Sequence, residues 1–152
     1  MGYNVYQGDE LIVENIEEKE YTVEGLEPDT EYSFSVTEVI GDNESEKATV
    51  TVKTKPINVT GVTVSPKTNN LETGSTRQLN ATIEPSNATN KSVTFTSTDD
   101  AVATVSSSGL VTAVAEGTAT ITVTTDDGDH TDTATVNVTA PEPEPEVPEE
   151  GD

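Results

Sequence analysis

Residues 109–125 read GLVTAVAEGTATITVTT, and the regular pattern of this stretch gives the clearest indication of the secondary structure. A glycine opens each half, at Gly109 and Gly117, and glycine readily adopts the positive φ angles that tight turns need. After the second glycine, apolar residues at every other position from Ala119 to Val123 alternate with threonines. A period of two places alternate side chains on one face of a β-strand. The stretch therefore predicts two strands joined by a turn, and one face of the second strand is expected to be buried.

The same alternation recurs on both sides of this stretch. Thr and Val are abundant, and their β-branched side chains suit a pleated strand better than a helix. Seven strands are predicted in the second half of the chain, at 59–64, 78–83, 93–97, 102–105, 110–113, 119–124 and 134–138. The predicted core comprises the apolar side chains Leu79, Ile83, Val93, Phe95, Val105, Ala119, Ile121, Val123, Val136 and Val138. Seven short strands are enough for an immunoglobulin-like sandwich.

Several motifs in this half occur in a familiar order. They are SVTFTSTD at 92–99, AVATV at 101–105 and GLVTAVAEGTATIT at 109–122, preceded by Pro66, Leu71, Gly74, Leu79 and Pro85. Over residues 58–139 the chain resembles the bacterial immunoglobulin-like domain family, group two. Phe95 stands where that family usually carries tryptophan, so the core is expected to be smaller there.

The first third of the chain carries a second resemblance. Period-two runs occur around Tyr3, Leu11, Tyr21, Tyr32 and Val50, with turn residues between them. The run GLEPDTEYSFSV at 25–36 resembles the fibronectin type III family. The resemblance makes Tyr32 a corner tyrosine, whose hydroxyl bonds to the backbone a few residues upstream. It also makes Leu26, beside Pro28, the plug at the end of the sandwich.

The fibronectin type III resemblance covers only the later strands of the family's seven. GYNVY at 2–6 resembles strand C and KATVTVKT at 47–54 resembles strand G, but strands A and B have no counterpart. The tryptophan usual on strand B is missing, because the chain contains no Trp. We therefore predict an all-β chain with two tandem immunoglobulin-like sandwiches, the first incomplete and limited to strands C to G.

The predicted boundaries follow from proline and charge. Pro56 cannot donate to a β-ladder, so the predicted domains are 1–56 and 57–140. Residues 141–152, PEPEPEVPEEGD, alternate Pro and Glu and predict a disordered, extended acidic tail.

The net charge of the chain argues against some classes of binding partner. There are 7 Lys and Arg residues against 29 Asp and Glu residues, which gives a net charge of −22. This argues against nucleic acid and against an anionic membrane surface as partners, because both require clusters of basic residues. The absence of cysteine excludes disulfides, zinc sites that use thiolates and cysteine nucleophiles.

The sequence contains no recognisable catalytic constellation, and no catalytic residue or cofactor is predicted. His130 is the only histidine and lies in a polar loop. Four carboxylates of that loop are weak candidates for Ca²⁺, with Asp99 and Asp100 of another loop as additional ligands: Asp126, Asp127, Asp129 and Asp132. Their spacing does not match an EF-hand, and the alternative is that charged loops keep the protein soluble and protect strand edges.

The two resemblances imply a non-enzymatic structural protein. The expected function is display on a phage virion, as a capsid or tail decoration, with weak adhesion to host-surface carbohydrate. The absence of an export signal or anchor in the sequence favours the virion. The alternatives are a fragment of a secreted bacterial surface adhesin and an accessory module of a carbohydrate-active enzyme.

Residues 1–55 are expected to attach the protein, because the missing strands leave one sheet open. The candidate attachment residues are Tyr3, Val5, Leu11 and Val13. The partner is either another virion or surface protein that adds the missing strands, or an identical copy. The remaining alternative is that the chain is a piece cut inside a domain.

Overall fold

The computed structural model describes residues 1–142. Every regular element in this range is a β-strand, so the all-β prediction is confirmed. No described helix is long and apolar enough to cross a bilayer. The described chain forms two compact units, Met1–Ile57 and a second that starts at Asn58. Apart from its first two residues, the predicted tail at 141–152 lies outside the described range.

The first unit is a single antiparallel sheet. Its strands are β1 (Gly2–Gln7), β2 (Glu10–Ile16), β3 (Glu31–Ile40), β4 (Asn43–Glu44) and β5 (Ala48–Lys53). β3 lies in the middle, with β1 on one side and both β4 and β5 on the other, while β2 forms the edge beyond β1. This arrangement corresponds to the C′, C, F and G strands of a sandwich, and the described residues supply no opposing sheet.

The corner tyrosine is formed as predicted. The hydroxyl of Tyr32 accepts a hydrogen bond from the backbone N–H of Glu27 (2.9 Å), five residues upstream. This bond holds the turn that leads into β3, where Leu26 and Pro28 are half-buried. The strand predicted around Tyr21 is wrong, because the residues between Ile16 and Glu31 form no regular strand.

Two register shifts in β2 correct the predicted face of one attachment residue. Val13 lies opposite Val5, but Leu11 lies opposite Tyr6. Directly opposed residues of an antiparallel pair share a face. The irregular pairing therefore places Leu11 on the other face of the sheet from Val13, although simple alternation predicts one face for both.

The described part of the second unit contains nine strands. They are β6 (Gly61–Ser65), β7 (Thr68–Glu72), β8 (Thr76–Gln78), β9 (Asn80–Glu84), β10 (Val93–Ser97), β11 (Ala103–Val105), β12 (Leu110–Ala113), β13 (Gly117–Thr125) and β14 (Thr131–Thr139). A four-stranded sheet has the order β10-β13-β14-β7, with β7 parallel to β14. β11, β12 and β8 form a second sheet, and β6 pairs with β9.

Two features of this unit differ from the seven predicted strands. The run predicted at 78–83 divides at Leu79, and its two parts join different sheets as β8 and β9. The backbone N–H of Leu79 donates to the carbonyl of Gly109 (2.9 Å), so the residue between the two strands remains hydrogen-bonded. β7 is an additional strand, TNNLE, whose polar composition gives little apolar alternation.

The core of the second unit lies where the inner faces of its strands meet. Of the predicted core residues, Leu79, Ala119, Ile121, Val123, Val136 and Val138 are buried, whereas Val93, Phe95 and Val105 are partly buried against them. Ile83 is half-buried. The core also includes residues that the sequence analysis did not select: Val64, Leu71, Ala103, Val111, Ala113 and Ala134.

Both predicted glycine turns have positive φ angles, +83° at Gly109 and +149° at Gly117. A Cβ at Gly109 would lie 2.7 Å from the carbonyl oxygen of Leu79 and 3.0 Å from the ring of Phe95. The turn at Gly109 therefore packs directly against Phe95, at the position where the family usually carries tryptophan.

We expect Gly109→Ala to destabilise the second unit more than Gly74→Ala does. Gly74 also has a positive φ angle (+87°), but a Cβ there meets nothing within 4 Å. Its replacement should cost about 1–2 kcal/mol of backbone strain. The clash at Gly109 should add about 1–3 kcal/mol. Urea unfolding of the full chain, followed through the methyl NMR signals of Val123, tests this, and equal losses would contradict it.

Candidate attachment surface

The open face of the first sheet is apolar and has no second layer. Alternation and register place Tyr3 and Val5 of β1 on the same face as Phe34 and Val36 of β3. Val50 and Val52 lie opposite Phe34 and Tyr32 and continue this face onto β5. The exposed fractions are 40% for Val36, 55% for Val50 and 42% for Val52. Residues that face the core in a closed sandwich therefore remain in contact with solvent.

A groove of about 530 Å³ crosses this face. Its floor includes Tyr3, Val5, Phe34 and Val36, and one wall is the segment 18–23, which contributes Tyr21 and Val23. Tyr21 and Val23 alternate with polar residues, as they would in a strand. Within the described part of the chain, however, residues 17–26 make no backbone hydrogen bonds. Backbone without hydrogen-bond partners beside an apolar floor is a template for an added strand.

The rim of the groove is mainly acidic. Glu18 and Glu20 lie on it, with Lys19 between them. Residues 1–57 carry 14 Asp and Glu side chains and four Lys side chains. A segment that bound here with an acidic exposed side would be repelled, whereas basic residues on its exposed side would be attracted.

The opposite face of the first sheet is organised by one carboxylate. Glu44 Oε1 accepts hydrogen bonds from Thr37, Tyr6 and Asn4, which joins β4 to β3 and β1. The Thr37 bond, followed by those of Tyr6 and Asn4, lowers the pKa of Glu44, and the Glu44 bond raises the pKa of the Tyr6 hydroxyl. Lys47 Nζ lies 4.1 Å from the centre of the Tyr6 ring. The side chains at this site are therefore held by polar contacts within the sheet.

The candidate attachment residues are therefore divided between two environments. Tyr3, Val5 and Val13 belong to the open face, whereas Leu11 lies beside Tyr6 on the other. Phe34 and Val36 also line the groove, although they are not among the predicted attachment residues. Their alternation with serines in SFSV is visible in the sequence, but it also fits a strand buried in a complete sandwich.

The four acidic calcium candidates, three in the β13–β14 loop and Asp132 in β14, do not gather around a shared centre. Among the described residues, no group of three or more His, Cys, Asp or Glu side chains is placed to hold a metal ion. Asp127 Oδ2 instead accepts from the backbone N–H of Val59 (2.8 Å), and Asp132 Oδ2 accepts from that of Val64 (2.7 Å). Asp132 also binds Lys67. Asp127 thus fastens the start of the second unit to the β13–β14 loop, and Asp132 fastens β6 to β14.

The outer face of β10, β13 and β14 is neutral and rich in hydroxyl groups, whereas the neighbouring edge strand β7 adds Glu72 to it. Cross-strand neighbours on it include Thr96 with Thr122, and Thr122 with Thr133. The same face continues through Thr94, Thr118, Thr120, Thr124, Thr131, Thr135 and Asn137. The hydroxyl groups of this face can both donate hydrogen bonds to a neutral ligand and accept them from it.

We expect Val36→Lys to reduce the binding of an uncharged environment-sensitive dye such as Nile red. The added charge lies on the groove floor, where an apolar dye would otherwise be shielded from water. Val114→Lys is the matched control, because Val114 is similarly exposed (45%) but lies in the second unit. Fluorescence titration of the two variants measures the effect, and an equal decrease in both would contradict the assignment.

Asp132 should contribute stability that disappears in acid. Lys67, followed by the Val64 N–H, lowers the pKa of Asp132 in the folded protein. A lowered folded-state pKa adds stability above the unfolded-state pKa, and this contribution is lost as the pH falls through the folded-state value. Lys67→Met should therefore raise the pKa of Asp132 and flatten the acid limb of the stability curve. NMR titration of the Asp132 carboxyl measures this, and an unchanged midpoint would refute it.

The comparisons with known proteins agree with this architecture. The family described as fibronectin type III domain matches residues 1–54. The Ig-like virion protein of Serratia phage KSP90 is 48% identical over 73 residues, which are 47% of this chain and 28% of that protein. The chain thus aligns with less than a third of that relative.

Two solved structures show the same fold. Surface layer protein SbsC, domains 1–6, has a TM-score of 0.52 and 23% identity, over 93% of this chain and 20% of that one. The crystal structure of the S-layer protein rSbsC(31-844) has a TM-score of 0.51 at the same identity and coverage. The family described as bacterial Ig-like domain (group 2) matches residues 58–136, more than half of the chain. The chain therefore belongs to the bacterial Ig-like domain family, group 2, and carries a fibronectin type III segment before that domain.

Proposed function

We propose that this chain is a non-enzymatic structural module of a phage virion surface. The observation that carries the proposal is the 48% identity to the Ig-like virion protein of Serratia phage KSP90. The first unit serves for attachment and the second unit is displayed. The supporting geometry is the contrast between them, since the first has an open apolar face and the second a closed core.

The proposed occupant of the groove is an extended segment of a different virion protein. Its alternate apolar side chains would cover the floor at Val5 and Phe34, while its backbone pairs with the unpaired segment at residues 19–24. Basic residues on its outward side would complement Glu18 and Glu20. A second copy of this chain is a poorer partner, because both copies carry a net charge of −22.

Cross-linking inside purified virions tests the attachment. An amine-reactive reagent is applied to particles of the phage that encodes the chain, followed by mass spectrometry. We expect Lys19, on the groove rim, to be linked to a different virion protein. Lys91 in the second unit is the matched control and should give no such link. Links from Lys19 only to copies of the same chain would overturn the choice of partner.

The same particles test the location. Gold-labelled antibodies against the second unit should decorate intact particles. Absence of the protein from particles would overturn the virion proposal, and its presence on the bacterial surface would favour the adhesin alternative.

For the displayed unit we propose weak adhesion to neutral host-surface glycans through the threonine-rich face. Across β10, β13 and β14 this face is uncharged and presents regularly spaced hydroxyl and methyl groups, with neighbouring strands about 4.8 Å apart. Threonine hydroxyls can both donate to and accept from the hydroxyl groups of a neutral sugar.

A glycan array probed with the full chain tests this proposal. Thr122→Glu places a charge in the middle of the face and should abolish binding to neutral glycans. Thr82→Glu on the exposed side of β9 is the matched control and should bind like the wild type. Absence of wild-type binding to any glycan would refute adhesion and leave display alone. Binding to soluble glycans by a chain absent from particles would favour an enzyme accessory module.

A further inference from the structure

The second unit joins its early and late strands in parallel. β7 and β14 pair over five positions, from Thr68 opposite Thr135 to Glu72 opposite Thr139. The ladder is extended at both ends by backbone bonds from Thr135 N–H to the carbonyl of Lys67 (2.8 Å) and from Thr73 N–H to the carbonyl of Thr139 (2.9 Å). Other strand pairs of this unit are antiparallel.

Side chains reinforce the same pair of strands. The amide of Asn137 donates to the side-chain oxygen of Asn70 (3.0 Å), and the amide of Asn69 donates to the carbonyl of Thr135 (3.3 Å). Lys67 pairs with Asp132 at one end of the ladder. Asn69 is 2% exposed, so its bond is shielded from competing water. Contacts between β7 and β14 therefore go beyond the backbone ladder.

The point where the chain enters the unit is also fastened. The Val59 N–H donates to Asp127, and His130 Nε2 donates to the Val59 carbonyl (3.1 Å). Both partners belong to the loop that precedes β14. The chain thus enters beside the start of β14 and leaves after Thr139 at its far end. Nine residues of strand separate these points, a length of about 30 Å.

A pull on the two ends of this unit acts along the strands. It draws β6, which is paired with β9, and then β7 toward the entry, and it draws β14 toward the exit, so the hydrogen bonds between β7 and β14 are loaded together in shear. A pull across the strands would instead break the same bonds one after another. We infer that the second unit is a tension-bearing element and that the β7–β14 ladder, with its side-chain bonds, resists the load. This inference does not depend on the proposed virion location.

Single-molecule force spectroscopy on the full chain tests the inference. The chain contains no cysteine, so pairs of introduced cysteines provide unique handles. Asn58→Cys with Ala140→Cys applies shear. Glu72→Cys with Ala140→Cys pulls adjacent ends of β7 and β14 apart and applies peeling. At one loading rate, the unfolding force should be severalfold higher in shear, because forced unfolding reports the barrier along the imposed path. Equal forces in the two geometries would overturn the inference.

A substitution within the ladder separates mechanical resistance from ordinary stability. Asn70→Ala removes the bond from Asn137 and should lower the shear force more than the peeling force. Asn87→Ala, at an exposed loop position, is the matched control and should change neither force. Thermal unfolding confirms that both variants are folded before pulling. Indistinguishable shear forces for the two variants would refute the role of the ladder.

Discussion

The pairing of β13 with β14 is the interaction on which the second unit depends. Eight directly opposed residue pairs join these strands, and they hold β10 at one edge and β7 at the other. Ile121, Val123 and Val136 on their inner faces have no exposed surface. A polar side chain at any of these positions would lose its hydration without gaining a partner. This constraint explains why the alternation in the sequence is so regular there.

The strands of the first unit show the same alternation of apolar and polar residues, but the described residues provide no second layer to cover the apolar face. Apolar side chains are buried when two layers face each other, and the described residues provide only one. The sheet is instead held by its backbone ladders, the Tyr32 corner and the bonds that converge on Glu44. The contrast between the two units is therefore a difference in partners and not in the pattern of their strands.

The sequence predicts features that depend on local geometry or on a strong apolar period. The glycine turns at Gly109 and Gly117, the Tyr32 corner and the buried face of β13 belong to this class. Other features depend on contacts between distant residues and have no local signal. β7 is polar, and it is a strand because β14 lies beside it. Likewise, the strand predicted at 78–83 divides at Leu79 because the residues on its two sides pair with strands of different sheets.

The candidate attachment surface also combines features that the sequence predicts with features that it does not. Val5 and Val36 alternate visibly with polar residues, so their membership of one face can be predicted. The register shifts that separate Leu11 from Val13 cannot, because a bulge leaves no mark in the apolar period. The hydrogen bonds of Asp127 and Asp132 could not be predicted from the sequence either, because their partners, Val59 and Val64, each lie 68 residues away along the chain.

The entry of the chain at Val59 and its exit beyond Thr139 have an architectural consequence. A module that begins at one end and finishes at the other can be duplicated in series without redesigning its core. Each added copy would lengthen a stalk by about 30 Å, the span of a nine-residue strand. The height of such a stalk above a surface could then change in evolution through the number of modules, while the sequence of each module stays under the same packing constraints.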